Sequence, residues 1–133
     1  MAALIQSALR ARLHAHAPYS HFLVGAALED ETGRIHTGCN VENSTYGLTV
    51  CAERVAVWKA ISEGVLPHTF RRIAIAADSE TLTPPCGACR QILWEFCGDI
   101  EVILVNPHGR EERLKLSELL PRPFGDHLFR ATK

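Results

Sequence analysis

Three cysteines impose the strongest constraint on how this chain can fold. Cys51 begins the segment Cys-Ala-Glu-Arg, and Cys86 and Cys89 lie in the segment Pro-Pro-Cys-Gly-Ala-Cys-Arg. Three thiolates on one tetrahedral zinc ion leave a single coordination position open, which is the arrangement that hydrolytic zinc sites use. Glu53 lies two residues after the first thiol and could carry protons for a water molecule at that position. The fold must therefore bring two distant segments together around one ion.

Length and composition set the broad class. The chain has 133 residues, of which 47% are hydrophobic and 22% charged, and this predicts one compact globular domain spanning 1–133. A formal net charge of -1 provides no general basic field that would attract nucleic acid. The apolar runs are too short to span a membrane, and residues 1–12 lack the pattern of a signal peptide. We therefore expect a cytoplasmic protein with neither a nucleic acid nor a membrane as partner.

Cysteine usage agrees with a reducing compartment. The chain has five cysteines, an odd number, and no predicted secretion signal, which argues against a disulfide framework. We interpret these cysteines as metal ligands together with ordinary core thiols. They are Cys39, Cys51, Cys86, Cys89 and Cys97.

The hydrophobic pattern predicts the element order α-β-β-α-β-α-β-β. Helices are expected over 2–15, 51–62 and from 86 or 87 to about 97, and strands over 22–28, 34–38, 70–77, 100–105 and 112–116, with a short helical turn at 117–120. A hairpin followed by βαβ-like units favours a mixed sheet with helices on both faces. The predicted fold is therefore α/β, a three-layer α/β/α sandwich around a five-stranded mixed sheet.

Both cysteine segments fall where a predicted helix begins. Unpaired N–H groups and the positive end of the helix dipole favour a thiolate there. Three thiolates on a divalent ion leave a net charge of about -1, so we expect a compensating cation that can donate hydrogen bonds to sulfur. Arg54 is the favoured candidate and Arg90 the alternative, because each adjoins a cysteine segment.

Two other interpretations of the cysteines remain open. Cys86 and Cys89 alone would also suit a redox dithiol, although that role leaves Cys51 and its nearby carboxylate unexplained. A structural zinc site with four thiols would need Cys39 or Cys97 as the fourth ligand, and it would leave no open position. Because eight residues separate it from Cys89, about 12 Å along a helix axis, Cys97 suits a core thiol better.

Three segments together resemble a known family. They are Gly-Cys-Asn-Val-Glu-Asn-Ser-Thr-Tyr at 38–46, Cys-Ala-Glu-Arg at 51–54 and Pro-Cys-Gly-Ala-Cys-Arg-Gln at 85–91. They closely resemble the small homotetrameric zinc-dependent cytidine deaminases, of the cytidine and deoxycytidylate deaminase superfamily. The pair of cysteine segments is the all-cysteine form of the zinc deaminase signature. The similarity extends from Ala17 to Pro121, with Phe124 nearby.

The resemblance implies an activity and a cofactor. Members of this family hydrolyse cytidine and 2′-deoxycytidine to uridine and 2′-deoxyuridine plus ammonia, a reaction of pyrimidine salvage. By this resemblance, Cys51, Cys86 and Cys89 hold one Zn²⁺ per chain, and Glu53 shuttles protons between water and the base.

The resemblance also implies which residues bind the nucleoside. Asn40 and Glu42 match positions that bind the ribose hydroxyls, and an amide with a carboxylate can both donate to and accept from a hydroxyl. From the residues alone, a turn residue and a solvated charge would be the favoured explanation of this pair. Phe22 matches a ring that packs against the pyrimidine, and Ala52 matches a position whose main-chain N–H contacts the base.

Other matching positions imply a shared active site. Ser44, Tyr46 and Phe124 match positions that the family contributes to the site of a neighbouring subunit. This implies a homotetramer whose active sites are completed by neighbouring chains, with a small nucleoside as substrate.

Alternative functions remain at this stage. One is deamination of another aminopyrimidine nucleoside, such as blasticidin S, because the segment 47–50 leaves fine substrate preference open. Another is a non-catalytic, zinc-stabilised nucleoside-binding module. A polynucleotide deaminase is disfavoured, because the chain lacks a basic, aromatic-rich surface and contains only 7% aromatic residues.

Overall fold

The structure of the chain is a computed structural model that describes residues 1–130, so the last part of the predicted domain 1–133 lies outside the described residues. The helices are α1 (Ala2–Arg12), α2 (Ala52–Ser62), α3 (Gly87–Cys97), α4 (Leu116–Leu119) and α5 (His127–Arg130). The strands are β1 (Val24–Asp30), β2 (Ile35–Cys39), β3 (Phe70–Ala77), β4 (Glu101–Val105) and β5 (Glu111–Lys115). Across residues 1–130, no helix combines the length and apolar character needed to cross a bilayer.

The five strands form one mixed sheet in the order β2-β1-β3-β4-β5. Strands β3 and β4 run parallel, and the other neighbouring pairs are antiparallel. The parallel pair is joined by α3, which is the crossover that such a pair requires. The predicted five-stranded mixed sheet is confirmed.

Helices cover both faces of the sheet, which confirms the predicted α/β/α sandwich. Helix α1 packs on one face, where the side chains of Ile103 and Val105 belong to its hydrophobic cluster. Helices α2 and α3 pack on the other face with Val102 and Leu104. Alternate residues of β4 therefore point into different layers, and this explains why the strand is apolar from Val102 to Val105.

The start of β1 and the end of α1 are among the predicted boundaries that differ from the structure by more than one residue. Strand β1 begins at Val24 and not at residue 22, because the side-chain amide of Asn40 takes over the local main-chain hydrogen bonds. The N–H of Val24 donates to Asn40 Oδ1, and the carbonyl of Phe22 accepts from Asn40 Nδ2, both at 2.8 Å. Helix α1 ends at Arg12, and residues 13–15 continue as tighter turns with hydrogen bonds between residues three apart.

Glycine at two strand positions lets a helix approach the sheet closely. A Cβ at Gly25 of β1 would lie 2.2 Å from the carbonyl oxygen of Ala8 in α1. A Cβ at Gly38 of β2 would lie 2.4 Å from the carbonyl oxygen of Ala52 and 2.6 Å from the nitrogen of Ala56. The first turn of α2 therefore rests directly on the β2 backbone, which sets the depth of that turn.

We predict that Gly38→Ala lowers the free energy of unfolding by about 1–3 kcal/mol or more, because the new methyl group meets rigid helix backbone. Urea denaturation followed by circular dichroism measures this change. Gly47→Ala is the matched control, because a Cβ there would have no neighbour within 4 Å. Equal unfolding free energies for the two variants would show that α2 does not depend on this contact.

Candidate metal centre and active site

Two helix N-termini meet at a cluster of thiols. Cys51 immediately precedes α2 and Cys86 immediately precedes α3, both with extended backbone, whereas Cys89 lies in the first turn of α3. The Sγ atoms of the three cysteines all lie within 4.8 Å of one another, and those of Cys51 and Cys86 are 3.9 Å apart. The fold thus brings together the three thiols that the sequence singled out.

The spacing of the sulfurs fits a single zinc ion. Thiolates bound to one tetrahedral zinc at about 2.3 Å lie roughly 3.8 Å apart, close to the separation of Cys51 and Cys86. Hydrogen bonding from Cys89 and from Arg54 lowers the pKa of Cys51 to about 5, while hydrogen bonding to Cys51 raises the pKa of Cys89. Ionisation of Cys51 thus opposes ionisation of Cys89 unless a cation lies among the sulfurs. The donor set is therefore suited to zinc.

Arg54 provides the expected positive charge. Its Nη2 donates a hydrogen bond to Cys51 Sγ at 3.2 Å from the same first turn of α2. Arg90, the alternative, donates to the main-chain carbonyls of Pro85 and Leu119. The structure therefore places Arg54, and not Arg90, on a sulfur.

Glu53 is a buried carboxyl beside the thiols. It is only 4% exposed, and its Oε1 has no hydrogen-bond partner among residues 1–130. Burial raises the pKa of Glu53 to about 7, and the negative charge of Cys51 adds to this increase. A buried carboxyl oxygen without a partner is costly for a fold, and such groups are concentrated at sites of chemistry.

A cavity of about 260 Å³ opens beside the thiols. Most of the predicted site residues line it, namely Phe22, Asn40, Glu42, Ala52 and Glu53 together with Cys51 and Cys86. Ser20, Thr49 and Thr83 also line the cavity, and sequence reasoning assigned them no role. Ser20 belongs to the segment that resembles the family, which was the available signal. The polar groups of these side chains converge on one small space.

Asn40 and Glu42 organise the wall of this cavity through local contacts. Asn40 is 8% exposed and holds the backbone between Phe22 and Val24, as described for the start of β1. The Glu42 carboxylate accepts hydrogen bonds from the hydroxyl of Ser20 and from the main-chain N–H groups of Tyr19 and Ser20. These bonds, led by that of the Ser20 hydroxyl, lower the pKa of Glu42 and favour its ionised form.

The three positions matched to a neighbouring subunit's site lie outside this cavity. Tyr46 is 73% exposed and lines a second cavity of about 380 Å³, where its ring contacts that of Tyr19 edge to face. Ser44 is exposed on the same loop. Phe124 is 59% exposed, and its main-chain N–H and carbonyl are both hydrogen-bonded to the side chain of Gln91.

The remaining cysteines lie apart from the thiol cluster. Cys97 is 7% exposed and belongs to the hydrophobic core between the sheet and α3. Cys39 is half-buried at the end of β2. Within the part of the chain that the structure describes, the metal-binding group contains three thiols, so a site with four thiols receives no support.

Known proteins are similar to this chain in sequence and in fold. The sequence model described as "Cytidine and deoxycytidylate deaminase zinc-binding region" matches residues 1–105. A cytidine deaminase of Sporosarcina psychrophila is 49% identical over 122 residues, covering 91% of this chain and 88% of its own. A blasticidin-S deaminase of Bacillus cereus is more distant, at 29% identity over 106 residues and 74% of each chain.

A solved structure of a cytidine deaminase has the same fold as this chain. The crystal structure of cytidine deaminase from Burkholderia pseudomallei superposes with a TM-score of 0.90 and 44% sequence identity, covering 92% of this chain and 98% of that one. The match of the family's zinc-binding region extends over the cysteine cluster, and the similarity covers nearly the whole chain. The chain therefore belongs to the cytidine and deoxycytidylate deaminase zinc-binding family.

Proposed function

We propose that this chain is a zinc-dependent cytidine deaminase that hydrolyses cytidine and 2′-deoxycytidine to uridine and 2′-deoxyuridine plus ammonia. The observation that carries this proposal is the buried Glu53 carboxyl, whose Oε1 has no hydrogen-bond partner among residues 1–130, beside three thiols that lie within 4.8 Å of one another at a cavity. We further propose that residues 1–133 form a single catalytic domain with one zinc ion per chain.

Cys51, Cys86 and Cys89 would hold the zinc ion, which when bound supplies a Lewis acid that activates water for hydrolysis. The Arg54 guanidinium on Cys51 Sγ offsets the negative charge of the thiolates. Its second role is to fix the direction of that sulfur relative to α2, because a guanidinium donates from a rigid planar group.

Glu53 carries the protons of the reaction. Its carboxylate accepts a proton from the attacking water and delivers it to N3 of the cytosine ring, so that C4 becomes more electrophilic. The water oxygen bonds to C4. The same carboxylate then takes the remaining proton from the new C4 hydroxyl and gives it to the 4-amino group, so that the C4–N bond breaks, ammonia leaves and the C4 carbonyl of uridine forms. Burial of Glu53 at 4% exposure keeps bulk water from competing for these protons.

The cavity wall would orient the nucleoside. Phe22 and Ala52 line the cavity. Phe22 would pack against the pyrimidine ring, and the main-chain N–H of Ala52 would bind the base. Asn40 and Glu42 would bind the ribose hydroxyls. Because both side chains also hold the loop at 19–24, substrate binding and loop geometry would depend on the same hydrogen bonds.

We propose that the active enzyme is a homotetramer in which Ser44, Tyr46 and Phe124 of one chain complete the site of another. Large exposed aromatic side chains support this assembly, since Tyr46, Phe124 and Trp58 of α2 are 73%, 59% and 46% exposed.

Free nucleosides in the cytoplasm, as in pyrimidine salvage, are the proposed substrates. A net charge of -1 and a thiolate site that needs reducing conditions favour this setting.

We predict that Glu53→Gln retains one zinc per chain but loses roughly 10²- to 10⁴-fold in deamination rate, because the amide cannot carry the proton. The measurement is the ultraviolet absorbance change with cytidine, 2′-deoxycytidine, cytosine and blasticidin S, together with metal analysis. Glu112→Gln is the control, since Glu112 is exposed on β5. Wild-type turnover by the Glu53 variant would refute Glu53 as the proton carrier. If the wild-type protein turns over blasticidin S alone, the alternative substrate is favoured.

The shared site generates a second prediction. Assemblies of Phe124→Ala chains or of Glu53→Gln chains should each have low activity. When the two are mixed and reassembled in equal amounts, about one site in four should combine an intact Glu53 with an intact Phe124 from the other chain. We expect the rate of cytidine turnover to recover towards one quarter of the wild-type rate. If mixing is verified by mass spectrometry and no activity returns, Phe124 does not act across a subunit boundary.

A further inference from the structure

Arg90, in the first turns of α3, connects the segment that precedes this helix to the end of α4. Its Nε donates a hydrogen bond to the carbonyl of Pro85 at 2.7 Å, and its Nη1 donates to the carbonyl of Leu119 at 2.9 Å. Pro85 immediately precedes Cys86, which lies just before α3, and Leu119 is the last residue of α4. One half-buried guanidinium thus joins the approach to the metal centre to a distant helix.

Cys86 is the thiol of the cluster with the least support from its surroundings. Cys89 is fully buried within α3, and Cys51 receives a hydrogen bond from Arg54. Cys86, in contrast, is exposed, and it follows two prolines that cannot donate main-chain hydrogen bonds. The Pro85 ring is fully buried, and the carbonyl of the peptide group between Pro85 and Cys86 is held by the hydrogen bond from Arg90.

The other end of this connection is firmly anchored. Leu116 at the start of α4 is fully buried in the main hydrophobic cluster, and its N–H donates to the carbonyl of Ile100 at 3.0 Å. The side chain of Glu118 accepts a hydrogen bond from the N–H of Lys115 and closes the first turn of α4. Arg90 thus links the approach to Cys86 with the protein core.

We propose that Arg90 is a positioning residue that fixes the Pro85–Cys86 peptide group and thereby holds Cys86 Sγ at zinc-binding distance from the other two sulfurs. This proposal rests on the proposed function, in which Cys86 is a zinc ligand. Arg90 acts here through two main-chain carbonyls and not through its charge on sulfur, so its role differs from that of Arg54.

Three variants test this role. Arg90→Met keeps an apolar stem of similar length but removes every donor, and Arg90→Lys keeps one donor group that lacks the planar fork. Gln91→Ala is the matched control, because Gln91 lies on the same helical turn and bonds to the main chain of Phe124, but not to Pro85. Zinc affinity is measured on the zinc-loaded proteins by competition with a chromophoric chelator, and the absorption spectrum is recorded after cobalt(II) substitution.

We expect Arg90→Met to bind zinc about 10- to 100-fold more weakly, the usual effect of losing a residue that supports a metal ligand. Its thiolate-to-cobalt absorption should weaken, because one sulfur is no longer held in place. Arg90→Lys should recover part of the affinity, and Gln91→Ala should bind zinc as the wild type does.

Other outcomes would overturn the proposal in distinguishable ways. If Arg90→Met melts at a lower temperature but keeps the zinc affinity and cobalt spectrum of the wild type, Arg90 only stabilises the fold. If Arg90→Met does not fold, the other two variants decide. The role would then be refuted if zinc affinity is unchanged in Arg90→Lys and reduced in Gln91→Ala. If the wild type itself binds no zinc, the proposed function fails as well.

Discussion

The crowding of three thiols at two helix N-termini is the interaction on which the rest of this structure depends. Sulfurs within 4.8 Å of one another oppose each other's ionisation, and a bound cation removes that conflict. Every neighbouring feature serves this arrangement. The glycine at 38 lets α2 approach the sheet, Arg54 donates to one sulfur, and the crossover from β3 to β4 delivers α3. The chemistry of the site is therefore inseparable from the packing of the two helices.

The layers of the fold could be predicted because the sequence pattern reflects burial. Strand β4 is apolar from Val102 to Val105 since it contacts helices on both faces, and this marks it as a central strand. The start of β1 could not be predicted, because the Asn40 amide replaces strand partners for Phe22 and Val24 across a long sequence separation. Local propensity contains no information about such a tertiary hydrogen bond.

The metal ligands could also be predicted, because thiol spacing and a nearby carboxyl leave few chemical alternatives. The choice between Arg54 and Arg90 was harder, since both flank a cysteine segment and only the helix geometry decides which guanidinium reaches a sulfur. The Glu53 oxygen without a partner and the hydrogen bonds that Glu42 accepts from Tyr19 and Ser20 also emerge only from coordinates. The sequence thus predicts the thiols and the carboxyl of the site, whereas the structure shows the hydrogen bonds and the burial that hold these side chains in place.

The most direct measurement of the central claim is X-ray absorption at the zinc edge of the purified wild-type protein. The account predicts three sulfur neighbours at about 2.3 Å and one lighter oxygen or nitrogen neighbour, so that one position stays open for water. Four sulfur neighbours, or a zinc ion without sulfur neighbours, would contradict it.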